Sequence, residues 1–446
     1  MMNPETHQDA DVIVVGAGAS GMMAAGRAAE CGARVLLLEK MDTAGKKILV
    51  SGKTRCNLTN TADLKKFISM YGPNGRFLYS AFSRFFRPEL LDFLGRYGVA
   101  TKTERGGRVF PVSDNARDVV RAFRNYLEDH FVHVVYQAGV QAVTLETKAG
   151  FRLQTQKKIY RAPVLILATG GASWPKTGST GDGYAFAESL GHTLVELKPA
   201  LVPLIVEERT LAKSLQDVVL RNVRATAFRG TASSVDVAWI PALTYGRGEK
   251  KTPRPPVIES RLGEMLFTHF GLGGPMILQL SLAVVQALRE GPVSILIDLK
   301  PAVPRQELRK RLMSDLNQFG KRPISIILKD YLPSKMIFPL TVLAKVDPSK
   351  PAHQISAAER EKLLDVLKAL RFNIQSSLPL AQAIVTAGGV ALDEIDPRTL
   401  ASKKVSGLFF CGEILDLDAD TGGYNLQAAF STGYVAGESA ARYLQS

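Results

Sequence analysis

Three glycines, Gly16, Gly18 and Gly21, set between an apolar strand and a helix, restrict this chain more than any other feature. The run Asp11 to Val15 is β-branched and apolar, as a fully buried parallel strand requires, and leads straight into Gly16-Ala17-Gly18-Ala19-Ser20-Gly21. Met22 to Glu30 reads as a helix closed by Cys31-Gly32, and Arg34 to Leu38 as a second strand ending at Glu39. Each glycine has a task. Gly16 permits the tight turn, Gly18 lets a pyrophosphate approach the backbone, and Gly21 lets helix and strand pack closely. The phosphate charge then meets the helix N-terminus. Glu39 lies about 20 residues on, where a carboxylate accepts from both ribose hydroxyls and disfavours a 2′-phosphate. Together these elements favour a dinucleotide cradle over a glycine turn in a ligand-free α/β fold.

With 446 residues the chain is expected to hold two or three domains. No apolar run approaches the roughly 18 residues that span a bilayer, so no integral membrane association is expected. The N-terminus carries acids ahead of its apolar run and no basic leader, and the three cysteines, Cys31, Cys56 and Cys411, have neither CxxC nor metal-ligand spacing. A reducing, cytoplasmic setting without disulfides or a metal site is the expectation. The formal charge of +14 suits acidic or polyanionic partners, or reflects scattered surface lysines.

A nicotinamide dehydrogenase normally keeps its Rossmann domain contiguous, whereas here two further strand-plus-glycine elements lie far downstream. Val164 to Ala168 runs into Thr169-Gly170-Gly171, whose small residues leave room for a ligand or backbone. Gly407 to Cys411 runs into Gly412-Glu413, followed by Asp416, by Thr421-Gly422-Gly423-Tyr424-Asn425 and by an alanine-rich helical stretch to Tyr443. A glycine turn opening a late helix suits the pyrimidine end of a flavin, because a helix N-terminus stabilises the negative charge that reduction places there. Between about 199 and 371 the cradles stop. Leu201 to Glu207, Val223 to Phe228 and Val293 to Leu299 read as antiparallel strands, and Arg305 to Gln318 and Ile324 to Tyr331 as helices.

The segments GAGASGMMAA, GKKILVSGKTRCNLTN, ATGGASWPKTGSTGDGYAFAESLGH, FTHFGLGGP and GLFFCGEILDLDADTGGYNLQAAFSTGYVAG resemble, in order and spacing, the bile-acid-reductase and aminoacetone-oxidase-like family of FAD-dependent, NAD(P)-linked oxidoreductases. The resemblance covers nearly the whole chain. It implies an α/β fold in which a glutathione-reductase-type, Rossmann-like FAD-binding domain (1–198 and 372–446) is split by an inserted β-barrel (199–371) with a small helical subdomain at about 303–345. It places Gly16, Gly18, Ala19, Ser20 and Gly21 on the pyrophosphate, Glu39 on the ribose, and Lys47, Ser51, Arg55, Cys56 and Asn57 along the flavin. It sets Val140 near the adenine, Ala168, Thr169 and Gly170 near the nucleotide, and Gly412, Glu413, Gly423, Asn425 and Leu426 around the ribityl chain and ring. In one place the sequence departs from the family. Members carry three glycines between the serine and arginine of the second motif, where this chain has Ser51-Gly52-Lys53-Thr54-Arg55. Lys53 either meets flavin or an anionic substrate, or points to solvent.

A flavin carries the hydride chemistry, so the protein need only position substrate, tune the ring and supply protons. Cys56 is a candidate proton donor or a small packed residue, and His269 a general acid–base candidate or a hydrogen-bonding turn residue. Tyr424 is a candidate for the substrate side or for packing. The clusters Arg247, Lys250, Lys251, Arg254 and Arg305, Arg309, Lys310, Arg311, Lys321, Arg322 are either solvated faces or a track for RNA, since some family members resemble enzymes that reduce uridine in ribosomal RNA. The expectation is an FAD reductase supplied by NAD(P)H acting on an unsaturated substrate, with uridine in ribosomal RNA the specific candidate that the positive charge favours. The rival is an oxidase of a small amine with oxygen as acceptor.

Overall fold

The computed structural model describes residues 9–146, 150–235 and 257–445. The basic cluster Arg247, Lys250, Lys251 and Arg254 lies outside the described residues. The chain forms two compact units, one from 1–198 with 380–446 and one from 199–379.

The first unit is built on a five-stranded sheet with the order 408–410, 164–167, 12–15, 35–38, 133–135. Every pairing in it is parallel: β1 (Val12–Val15) lies between Val164–Leu167 and β2 (Val35–Leu38), with Val12 opposite both Val164 and Val35. The last strand, Leu408–Phe410, joins Val164–Leu167 at the sheet edge, so the C-terminal part of the chain completes a sheet begun at the N-terminus. Helix α1 (Ala19–Glu30) follows β1 and packs on the closing helix Tyr424–Tyr443. A Cβ on Gly433 or Gly437 would come within 2.3 Å of the Ser20 carbonyl or 2.2 Å of the Ala24 carbonyl, so two glycines one helical turn apart set that backbone-to-backbone approach. Two small antiparallel sheets flank the main one, Thr59–Asn60 with Thr101–Glu104 and Arg108–Pro111, and Val140–Glu146 with Gly150–Thr155 and Ile159–Ala162. The unit buries its own apolar core, from Ile13 and Leu37 to Phe123, Phe409 and Phe430.

The second unit is a closed six-stranded antiparallel barrel of Leu204–Val206, Gly271–Gly273, Val257–Phe267, Val219–Arg229, Val293–Asp298 and Leu370–Ser377, again with a core of its own. Helices Arg305–Gln318, Ile324–Ile327, Ser334–Leu343 and Ala357–Lys368 accompany it. The expected return to the first unit at 372 falls inside the strand Leu370–Ser377 and is corrected to Leu380. Leu370, Phe372 and Ile374 of that strand are buried in alternation against the barrel interior, which ties the segment to the insert. Among the described residues no helix is long and apolar enough to cross a membrane.

Candidate functional site

The three N-terminal glycines divide by what a side chain would meet. A Cβ on Gly16, held at φ 102°, would lie 2.6 Å from the Ala168 carbonyl oxygen, and one on Gly21 would lie 1.8 Å from the Gly16 carbonyl oxygen. A Cβ on Gly18 would meet nothing within 4 Å. Two glycines thus serve close packing, and the third borders open space at the N-cap of α1. Ala19 opens the helix, while Ser20 is buried with its hydroxyl donating to the Cys411 carbonyl at 3.3 Å, which ties the first cradle to the C-terminal one. Glu39 stands at the end of β2, its carboxylate accepting from the Ala17 amide at 2.7 Å and the Met41 amide at 2.8 Å.

The second cradle, Ala168-Thr169-Gly170, leaves the strand Val164–Leu167 beside Gly16. Gly170 has φ 73°, and the Thr169 hydroxyl is buried without a partner among the described residues. Val140 is buried at the start of its strand.

The third cradle is held by charge. Lys47 Nζ lies 2.5 Å from Glu413 Oε2 and donates to Ser173 at 2.8 Å. The other Glu413 oxygen accepts from the Thr386 amide at 2.9 Å and the Ser173 hydroxyl at 3.2 Å. Every oxygen of this carboxylate is therefore engaged, and it fixes four segments of the first unit at one point. Gly412 at φ 80° puts its hydrogen where a Cβ would be 2.3 Å from Ser20 Oγ. Gly423, the N-cap of the closing helix at φ 98°, would place a Cβ 2.3 Å from the Thr59 carbonyl. The Asn57 side-chain oxygen accepts from the Gly423 amide at 2.9 Å when its nitrogen faces the Thr59 and Val109 carbonyls. Asn425 clamps Ala419 from both sides, accepting from its amide and donating to its carbonyl at 2.9 Å each. Leu426 is half-buried beside it.

The loop between them is left-handed. Gly52, Lys53 and Thr54 have φ of 56°, 58° and 67°, and Cys56 follows at 63°. Of the three glycines expected here by resemblance, Gly52 is kept and the other two are replaced by Lys53 and Thr54, which adopt the glycine conformation at a cost of about 1 kcal/mol or more each. Lys53 and Thr54 are exposed. The Ser51 hydroxyl turns back to the Ile48 carbonyl at 2.8 Å, and Arg55 pairs with Glu104 at 2.8 Å and lies over the Phe110 ring at 4.1 Å.

Of the three residues singled out for chemistry, Cys56 and Tyr424 belong to the first unit and His269 to the second. Cys56 is completely buried, and burial pushes its thiol up to about 12, so it sits in the core as a packed residue. Tyr424 is also buried, its ring edge-on to Phe67 at 4.7 Å and its carbonyl accepting from Tyr71 at 2.6 Å. His269 belongs to the second unit, exposed on a turn whose Thr268 amide donates to the Gly271 carbonyl at 2.8 Å, with Phe270 edge-on at 4.9 Å. Ser173, Thr386, Asn74 and Asp418 escaped the sequence reading. Ser173 and Thr386 reach Glu413 from more than 25 positions away in sequence, and no local spacing announces such contacts. Asp418 stood in plain view beside Asp416, its signal being the density of acids before Gly422.

The profile of the family described as HI0933-like protein Rossmann domain matches residues 10–439. The 3-dehydro-bile acid delta(4,6)-reductase of Clostridium scindens is 33% identical over 432 residues, 96% of this chain and 98% of that protein. The ribosomal RNA dihydrouridine synthase of Escherichia coli is 29% identical over 430 residues, 95% of this chain and 96% of that protein. Among solved structures, a 3-ketosteroid-delta4-(5alpha)-dehydrogenase from Rhodococcus jostii in complex with 4-androstene-3,17-dione aligns with a TM-score of 0.49 at 16% identity, covering 98% of each chain. The profile match and the full-length relatives bear out the resemblance carried by the sequence motifs: this chain belongs to the HI0933-like Rossmann family of FAD-dependent oxidoreductases.

Proposed function

We propose that the chain is an FAD-dependent reductase that takes electrons from NAD(P)H and adds hydrogen across a carbon–carbon double bond conjugated with a carbonyl. The observation that carries the reading is the division of the glycines: Gly16 and Gly21 are packed shut, while Gly18 faces open space at a helix N-terminus, where a pyrophosphate needs backbone amides and no side chain. The buried, partnerless Thr169 hydroxyl and the Glu39 carboxylate fit the same group. Gly16, Gly18, Ala19 and Gly21 would hold the pyrophosphate, Glu39 the ribose, and the segments around Lys47, Glu413 and Gly423 the flavin, which when bound supplies hydride transfer. Ser20 and Asn425 hold backbone groups and Arg55 pairs with the Glu104 carboxylate, so each spends its side chain on the protein itself.

The substrate class rests on the two sequence relatives. Those relatives are named as a 3-dehydro-bile acid delta(4,6)-reductase and a ribosomal RNA dihydrouridine synthase, and saturation of a carbon–carbon double bond is the reaction class we take from both names. RNA as the substrate finds less support in the surface. Within the described basic cluster, Arg305 pairs with Glu361 and Asp365, Arg309 pairs with Glu361, and Arg311 and Arg322 lie over Tyr331 and Phe319. Arg305 and Arg309 of that cluster are thus already neutralised by carboxylates, and a small enone is the substrate we favour. The amine-oxidase reading draws on a different observation, the carboxylates Glu413, Asp416, Asp418 and Asp420 on one segment, which favour a cation.

Anaerobic mixing of the FAD-loaded protein with NADH and NADPH tests the donor, and bleaching of the flavin near 450 nm is the expected outcome. Adding a 3-oxo-Δ4,6 bile acid should restore the oxidised spectrum, whereas uridine-containing ribosomal RNA should not. Flavin that stays oxidised with both donors, yet is reduced by a primary amine and reoxidised by oxygen, would move the assignment to the oxidase.

A further inference from the structure

The helix Ser334–Leu343 of the second unit is apolar on both of its sides. Met336, Ile337, Leu340 and Thr341 are buried, the first three in the core of the insert. The opposite side of the same helix carries Lys335, Phe338, Pro339, Val342 and Leu343. There Phe338 is 65% exposed, Val342 57% and Leu343 46%. Ile326, on the short helix Ile324–Ile327 that packs against this one, is exposed as well. A helix that is apolar all round belongs in a protein core or in lipid. The outward side of this one is left open by the described residues.

The charges along that stretch are of one sign. No acid occurs between Tyr331 and Val346, while Lys335 stands among the exposed apolar residues and Lys345 follows the helix. Lys329 lies on the turn Leu328–Asp330, which packs against the helix. Lys329 and Lys345 are exposed and pair with no carboxylate among the described residues. Lys335 donates to the Gln216 carbonyl. Asp330 and Asp347 bound the stretch, and Asp347 already accepts from the Ser349 amide and hydroxyl. Over the whole helical part of the insert, 303–368, thirteen lysines and arginines stand against seven aspartates and glutamates, so a large share of the chain's excess of +14 is concentrated there.

We propose that this side of Ser334–Leu343 docks reversibly on an anionic lipid surface, with Phe338, Val342 and Leu343 entering the acyl boundary and Lys329 and Lys345 meeting headgroup phosphates. Exposed apolar residues bordered by lysines are the composition of a helix that lies in the membrane interface, and each lysine near an anionic leaflet adds attraction. Ten residues of helix reach about 15 Å, half the thickness of the hydrocarbon core, so the helix rests on the bilayer and does not cross it. A second copy of the chain fits less well. An isologous contact would set the same lysines against each other, with no acid in the stretch to pair them. A few exposed apolar side chains also fall well short of the roughly 800 Å² per partner that a stable subunit contact buries. The outer side of a single helix is convex, and a fluid bilayer receives it without the matching groove that a folded partner would need. The proposal does not depend on which acceptor the flavin serves.

The test uses the full-length, FAD-loaded protein, phosphatidylcholine vesicles with and without phosphatidylglycerol, and the variants Phe338→Asp, Val342→Asp and Lys345→Gln. All three sites are exposed, so FAD content and circular dichroism should match those of the wild type. In co-sedimentation the wild type should bind the phosphatidylglycerol vesicles about 10-fold or more tightly than the phosphatidylcholine ones, and less tightly as salt rises. Phe338→Asp and Val342→Asp should each weaken that binding by about 10-fold or more, and Lys345→Gln by about 5-fold. As a second readout, the indole added by Phe338→Trp should shift its emission to shorter wavelength with phosphatidylglycerol vesicles and not in buffer. A wild-type protein that stays in solution with both vesicles at low salt overturns the proposal, and so does vesicle binding that is equal in the wild type, Phe338→Asp and Val342→Asp. Self-association that Phe338→Asp abolishes, without vesicle binding, overturns it in favour of a subunit contact.

Discussion

Gly52, Lys53 and Thr54 form a left-handed run in which two residues with side chains take a glycine conformation. Because both are exposed and each costs about 1 kcal/mol or more there, Lys53→Gly and Thr54→Gly should each stabilise the protein by about 0.5–1 kcal/mol, net of glycine's entropy, in urea unfolding. Destabilisation by either would show that the side chain makes a contact worth more than the strain. The cradle glycines give a sharper contrast. Gly21→Ala drives a methyl into the Gly16 carbonyl and should cost about 3 kcal/mol or more, whereas Gly18→Ala meets open space and should change ligand-free stability by less than about 0.5 kcal/mol while abolishing FAD binding. Calorimetry of the apoprotein and FAD titration separate the two effects, and equal stability losses would remove the distinction on which the cofactor reading stands. Asp418 adds a pH signature. Its carboxyl is raised in the folded state by burial first and then by Asp416, Asp420 and Glu413, so the stability it contributes is full below about 3.8 and is lost as pH rises to about 6. Asp418→Asn should therefore stabilise the apoprotein at pH 7 by on the order of 2 kcal/mol and have little effect at pH 4.

At the scale of elements, the site depends on joints between segments distant in sequence. Lys47 from a short helix, Ser173 and Thr386 meet on Glu413, and Asn425 of the closing helix grips the loop that precedes it. Glu413→Ala leaves the Lys47 ammonium and the Thr386 amide without their partner and should cost about 2 kcal/mol, with weaker FAD retention on gel filtration. If FAD occupancy is unchanged, the carboxylate serves the protein fold and not the cofactor. The strands, α1 and the glycine turns were legible because each is a local pattern: a β-branched run, a helical stretch of small residues, a turn needing positive φ. The Glu413 joint was not legible, since a glutamate after a glycine carries no mark of the lysine or serine it will meet. The pairing of Arg55 with Glu104 and Phe110 was not legible for the same reason.

For the whole molecule, the strand Leu408–Phe410 and the closing helix complete a sheet and a core that residues 1–198 begin. A fragment ending at Lys198 keeps all three N-terminal glycines but loses the neighbour of Val164–Leu167 and the helix against α1, so it should neither unfold cooperatively nor retain stoichiometric FAD. A fragment that kept FAD would sink the split-domain arrangement. The sequence by itself determined that a dinucleotide cradle exists, that its parts lie at both ends of the chain and that a β-rich insert divides them, because strand period, glycine turns and helix composition are short-range properties of the backbone. Where the insert ends, which carboxylates are neutralised and which acid keeps its proton were decided by tertiary structure, because hydrogen-bond partners and desolvation depend on what lies within a few ångströms in space, and residues hundreds of positions apart supply it.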